Sequence, residues 1–200
     1  MRIVFQGTIF ILFTTTLPLQ IAVTLTVWMT SGSPVIFCQK RIGKNGKPFT
    51  MYKFRTMQNG AEDKKKLYVS GNESDGPTFK IWNDPRFTPI GKFLSHTGLD
   101  ELPQLWNVLK GEMALIGPRP LPVSEAKKLK SWMREREKVL PGIISPAILA
   151  GDYHKDFTKW MKVDVAYARS KSASGDVKLL FRSVAFLFRL FIREIFGVRA

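Results

Sequence analysis

Between Ile3 and Gln39 the chain carries no charged side chain, and no other feature restricts its fold so tightly. The part from Ile3 to Met29 is rich in Ile, Leu, Val and Phe. A bilayer is crossed by about 20 apolar residues in a helix, so this segment is long enough to cross. A cleaved secretory signal fits less well, because the run is too long and only Arg2 marks a charged start. Pro18 lies in the middle, and a proline inside a helix removes a hydrogen bond and kinks it. Each half then has about 15 residues or fewer, roughly 22 Å at 1.5 Å per residue, short of ~30 Å of hydrocarbon. Two geometries remain open. Either a kinked helix spans, or the segment bends at Pro18 and returns to the face it entered, with Thr14, Thr15 and Thr16 satisfying the freed carbonyls.

The rest of the chain is basic. There are 31 Lys and Arg against 16 Asp and Glu, a net charge of +15. That balance points to an anionic partner: nucleic acid, an acidic membrane surface or a phosphorylated substrate. No helix-turn-helix, zinc-finger or aromatic ribonucleoprotein motif is present, so nucleic acid is not assigned as a partner. Essentially all the Lys and Arg follow residue 39, which places that part on the cytoplasmic side. Two hundred residues suit one domain. The single cysteine, Cys38, excludes an intrachain disulfide, and His96 and His154 have no partners at zinc-like spacing.

Residues 35–37 and 48–55 read as two strands joined by a hairpin turn at Gly43-Lys44-Asn45-Gly46-Lys47. Lys53 and Arg55 share one face of the second strand and could approach a phosphate; a solvated basic face is the alternative. Residues 58–78 read as a polar surface excursion. Ile90 to Leu94 starts a short helix, and a longer one is expected over Glu125–Leu140. Residues 177–198 form a second apolar helix. Its Lys178, Arg182, Arg189 and Arg193 are separated by 4, 7 and 4 residues, which puts them on one stripe. With five Phe on the same helix, this pattern suits a helix lying in a membrane interface. Packing in the core or against a second copy, a homodimer, is the alternative.

The chemistry concentrates in residues 99–120. Asp100 and Glu101 open a helix whose apolar positions Leu102, Leu105, Trp106 and Leu109 fit a period near 3.6. Pro103 falls in its first turn and Gly111 after its end. A helix start favours ionised carboxylates and attracts anions. Asp100 and Glu101 could act as nucleophile, general base or metal ligands in phosphate chemistry. Arg119, set between two prolines in Gly117-Pro118-Arg119-Pro120, could hold a phosphate as a bidentate fork. The plain alternative is an N-cap with an acidic first turn.

Residues 99–121 resemble the signature of the bacterial sugar transferases, also called monotopic phosphoglycosyl transferases. The resemblance extends upstream through Phe37-Cys38-Gln39-Lys40-Arg41-Ile42-Gly43, Met51-Tyr52-Lys53-Phe54-Arg55-Thr56-Met57 and Asn83-Asp84-Pro85-Arg86-Phe87-Thr88-Pro89-Ile90-Gly91-Lys92-Phe93-Leu94. It implies an α/β fold: a small helix-rich catalytic domain with a short sheet over residues 35–176, preceded by a re-entrant membrane helix over 1–34 and followed by an interfacial amphipathic helix over 177–200. It implies transfer of a phosphosugar from a UDP-sugar to polyprenol (undecaprenyl) phosphate, with release of UMP, at the cytoplasmic face of the bacterial inner membrane. Asp100 would be the nucleophile, Glu101 its partner in holding Mg²⁺ or moving a proton, and Lys53, Arg119, Arg55 and Arg86 the candidates for phosphate binding. The chain departs from the family pattern at Leu17, usually Ser, and at Ser95, Leu140 and Asp152, where arginines are common or lie close by. Lys92, His96 or His154 could take their place. The departures leave a second reading, a catalytically impaired membrane-bound homologue that scaffolds a glycan assembly complex.

Overall fold

The computed structural model of the chain describes residues 2–151 and 155–196. Asp152 and His154, and Val198 at the expected end of the last helix, lie outside the described residues. Helix α1 runs over Arg2–Ser31 and is assigned without interruption through Pro18. The expected break there is not seen. Ile9, Val23 and Val27 are buried along it, and of the half-buried Phe13, Thr14, Thr16, Gln20 and Ser31, three (Phe13, Thr16 and Gln20) continue the same stripe at spacings of 4, 3, 4, 3 and 4. That 3.5-residue period keeps one face in register on both sides of Pro18. Ile9 packs with Phe49, Met51, Val108 and Met113, while Val23 and Val27 pack with Phe54 and Leu94. Both ends of the stripe are thus buried against the rest of the chain, some 27 Å apart at 1.5 Å per residue. Phe10, Ile11, Ile21, Trp28 and Met29 project from the opposite side and are exposed. The hydroxyls of Thr14, Thr15 and Thr16 donate one turn back, to carbonyls between Phe10 and Phe13. They do not reach the Thr14 carbonyl, the one that Pro18 deprives of its usual donor.

Strands β1 (Ile36–Ile42) and β2 (Pro48–Phe54) pair antiparallel, with Phe37 opposite Lys53. At the turn Asn45 and Gly46 have φ of 56° and 74°, the geometry that matches the twist of a hairpin. The polar excursion contains a 3-10 stretch over Asp63–Gly71 with no buried residue. Helix α2 (Pro89–Thr97) is capped by the Thr88 hydroxyl, which accepts from the Gly91 N–H, and it ends at Gly98 in the left-handed region. A 3-10 turn over Leu99–Glu101 follows, and only then helix α3 (Gln104–Leu109). The two carboxylates expected to open a helix therefore sit in the turn between α2 and α3. Gly98, at φ 76°, makes this reversal at little steric cost.

Strand β3 (Ala114–Ile116) pairs parallel with β4 (Gly142–Ile144), after helix α4 (Val123–Ala126) and a 3-10 stretch over Ser131–Lys138. The single helix expected over Glu125–Leu140 is thus two short pieces. They turn Ala126, Leu129 and Met133 into one cluster with Phe157, Trp160 and Met161, and that burial outweighs the local helical pattern. Helices α5 (Pro146–Leu149), α6 (Phe157–Ser170) and α7 (Ala173–Phe196) complete the chain.

Helix α7 turns Leu179, Ser183, Phe186, Leu190 and Glu194 inward and leaves Val177, Phe181, Val184, Phe188 and Ile195 exposed. Lys178, Arg182 and Arg189 share the exposed side, but Arg193 leaves the expected basic stripe and lies 4.8 Å over the Trp82 ring. Trp82 in turn stacks on His96, whose Nδ1 is 3.1 Å from Glu194.

Candidate active site

Three separate segments bring Lys53, Asp100, Glu101 and Arg119 together. Lys53 comes from β2, and its ammonium stands 3.8 Å from Asp100 Oδ2 and 5.4 Å over the Phe37 ring. Asp100 is buried at 5 % exposure in the α2–α3 turn. Glu101, its neighbour, accepts a hydrogen bond of 2.9 Å from Arg119 Nη1. The cluster alternates cation and carboxylate, so each charge has one opposite charge beside it.

Two buried devices fix this geometry. Asn107 of α3, fully buried, donates to the Thr50 carbonyl and to Glu112, and accepts from the Tyr52 N–H. It ties the helix that follows Asp100 to the strand that carries Lys53. Beside Arg119, the start of β4 approaches the chain just after its parallel partner β3 so closely that a Cβ on Gly142 would fall 2.1 Å from the Gly117 nitrogen. The Gly142 N–H donates to the Pro118 carbonyl and the Gly117 N–H to that of Ile144. The Pro-Gly-Ile segment is thus the floor of the loop that presents Arg119. A buried pair extends this support: Arg136 donates to Asp164 at 2.7 Å and to the Arg119 carbonyl at 2.5 Å. Nothing local in the sequence marks that long-range pair, and the sequence reading missed it.

Arg55 and Arg86 are not brought to the cluster. The Arg55 guanidinium donates to the carbonyls of Ser31, Gly32 and Ser33 and to Asn59, closing the end of α1. Arg86 forms a buried fork on Asp84, with contacts of 2.9 and 2.6 Å, and donates to the Ala61 carbonyl. Both are structural clamps. His96 is committed to Glu194 and the Trp82 carbonyl, and Lys92 is exposed on α2.

Burial dominates the electrostatics of the cluster. It pushes the Asp100 carboxyl up to about 6, with Glu101 adding to the rise and Lys53 and Arg119 opposing it. Burial also pushes the Lys53 ammonium down, against the pull of Asp100. Lys80, which the sequence reading did not single out, belongs to the same field. Burial and Arg119 lower its pKa, while Asp100 and Glu101 raise it. Such a site holds a carboxylate near neutrality, poised between proton and charge, beside cations able to take a phosphate.

Among the described residues there is no cluster of three His, Cys, Asp or Glu fit to hold a metal ion alone. The adjacent Asp100 and Glu101 nevertheless fit Mg²⁺ chemistry, in which one or two carboxylates are completed by substrate phosphates and water.

The bacterial sugar transferase family matches residues 2–190 of the chain. A galactosyl transferase, CpsE, of Streptococcus agalactiae is 43% identical over 150 residues, which are 74% of this chain and 33% of the relative. The UDP-glucose:undecaprenyl-phosphate glucose-1-phosphate transferase of Escherichia coli is 37% identical over 175 residues, 84% of this chain and 35% of the relative. The sugar transferase EpsL of Bacillus subtilis, itself uncharacterised, is 37% identical over 153 residues, 76% of this chain and 69% of the relative. The chain therefore spans about a third of the length of the first two.

Proposed function

The chain belongs to the bacterial sugar transferase family, and from that premise we propose that it transfers a hexose 1-phosphate from a UDP-sugar to undecaprenyl phosphate, releasing UMP. The observation that carries the proposal is the buried Asp100 carboxylate, held between Lys53 and the Glu101–Arg119 pair. A relative matched by 84% of this chain, over 35% of its own length, is named for the same reaction with UDP-glucose.

In this reading an Asp100 oxygen attacks the β-phosphorus of the donor. The bond from that phosphorus to the bridging oxygen breaks, and UMP leaves with the electron pair. An aspartyl phosphosugar remains. An oxygen of the lipid phosphate then attacks the same phosphorus, and the Asp100 carboxylate is released. Lys53 and Arg119 neutralise the transferring phosphate, and burial keeps competing water away. Glu101 and Asp100 would hold Mg²⁺, which supplies charge neutralisation to the diphosphate when bound.

The acceptor is confined to a bilayer, so the site must lie at its surface. Helix α1 is long and apolar enough to cross a membrane. Yet Ile9 and Val27 are both packed against the catalytic residues' own framework. A straight helix packed against one domain at both ends lies along the membrane surface more readily than it spans. We therefore assign α1 a monotopic placement, with the exposed Phe and Val of α7 in the interface and the site at the cytoplasmic face of the inner membrane.

The test is intact-protein mass spectrometry after brief incubation with Mg²⁺ and a panel of UDP-sugars, without lipid, beside Asp100→Asn. A gain of one phosphosugar in the unmodified protein only is the expected result. No adduct, together with no UMP release once undecaprenyl phosphate is added, overturns the proposal.

A further inference from the structure

Resting on that transferase reading, we propose that Arg41 is a second guanidinium of the donor site, binding the diphosphate of a nucleotide sugar alongside Arg119. Strand β1 delivers it there. Arg41 bridges to Pro122, the Ile42 N–H donates to the Leu121 carbonyl, and Arg41 Nη1 donates to the Pro120 carbonyl at 2.8 Å. The guanidinium is thus fastened one residue from Arg119 by a single one of its nitrogens.

A further N–H of the fork is unused. Nε of Arg41 is buried and without a hydrogen-bond partner. Among the described residues no carboxylate is ion-paired with Arg41, since Glu101 is taken by Arg119 and Glu125 lies 3.9 Å from Lys65. Burial and the like charge of Arg119 push Arg41 down to about 10, against weaker support from Glu125 and Glu101. A desolvated guanidinium with an unused N–H, set beside another guanidinium, is unfavourable unless an anion joins them. The Nε–Nη2 edge is one of the two edges that grip a phosphate bidentately.

The charge count of the pocket agrees. Arg41, Lys53, Lys80 and Arg119 share one field with Asp100, Glu101 and Glu125. A diphosphate supplies the missing negative charge.

The competing role for Arg41 is to tether the Pro120 carbonyl and so act through Arg119. A double-mutant cycle separates the two. UDP is titrated calorimetrically into the full chain in detergent with Mg²⁺, for the unmodified protein, Arg41→Gln, Arg119→Lys and the double variant, with thermal melts confirming that each is folded. Loss of a charge-assisted bond of about 1.5–3 kcal/mol weakens UDP by about 10- to 100-fold in Arg41→Gln. A direct contact keeps a clear loss in the Arg119→Lys background, and Arg41→Lys recovers part of it. The proposal is overturned if folded Arg41→Gln binds UDP like the unmodified protein, or if its effect vanishes in the Arg119→Lys background. If the unmodified protein does not bind UDP, the donor assignment fails as well, which sets that outcome apart from failure of Arg41 alone.

Discussion

The Lys53 ammonium lies 3.8 Å from Asp100 Oδ2, with side-chain exposures of 23% and 7%. Neither group is well hydrated, and each is the other's principal opposite charge. Ionised Asp100 attacks and protonated Asp100 does not, so this pair sets the pH at which the proposed chemistry starts.

Asp100 is pushed up to about 6. The rate of phosphosugar adduct formation in single turnover should therefore fall as pH drops through that region, with the active, ionised form lost on the acid side. Lys53 is the largest influence holding the carboxyl down. Lys53→Met should move the acid limb to higher pH as well as slow the reaction. A limb that stays in place in Lys53→Met would show that the ammonium does not tune Asp100.

Arg119→Lys keeps the charge beside Glu101 but loses the planar fork. Hydrogen bonds to charged groups contribute about 1.5–3 kcal/mol, so donor KM should rise about 10- to 100-fold. Steady-state kinetics across UDP-sugar concentration checks this, and an unchanged KM removes Arg119 from phosphate binding.

The sequence made the apolar helix, the hairpin, α2 and the charged cluster legible, because each rests on local signals: an uncharged run, Asn-Gly at a turn, Thr-Pro at a helix start, two carboxylates after a glycine. Arg55 and Arg119 look alike in sequence. Each is an arginine amid apolar and turn residues, and only the fold reveals that one meets the carbonyls of Ser31–Ser33 and the other Glu101. The parallel pairing of β3 with β4 depends on Gly117 and Gly142 meeting across the intervening segment. The helical pattern over Glu125–Leu140 yielded to the burial of Leu129 and Met133 against α6. Long-range packing of this kind leaves no periodic trace.

Arg55 clamps the end of α1 through three successive carbonyls. Arg55→Gln leaves those acceptors short of donors, at a cost of about 1–3 kcal/mol. Proteolysis in the Ser31–Val35 connection should become faster while donor KM stays unchanged. A large KM effect with an intact melting curve would return Arg55 to the phosphate-binding set.

Arg136 and Asp164 are buried together, at 4% and 0% side-chain exposure. Asp164→Ala strands a buried guanidinium, and breaking such a pair from one side costs about 3–5 kcal/mol. A depressed melting temperature is expected, with weaker UDP binding because Arg136 also holds the Arg119 carbonyl. An unchanged melting temperature would mean that the pair contributes nothing net.

The placement of α1 is open to a direct topological test. Its domain-facing stripe runs from Ile9 to Val27 without losing register at Pro18, so the start of the helix stays on the side of the catalytic residues. Replacing the exposed Cys38 by Ser and adding Arg2→Cys gives one reporter thiol. A membrane-impermeant maleimide applied to intact spheroplasts should leave it unlabelled, and permeabilisation should expose it. A helix that spans places residue 2 outside, where the reagent reaches it without permeabilisation. Labelling of intact spheroplasts would therefore mean that α1 leaves the domain and crosses, and that the packing of Ile9 on Phe49 and Met51 is given up in the bilayer.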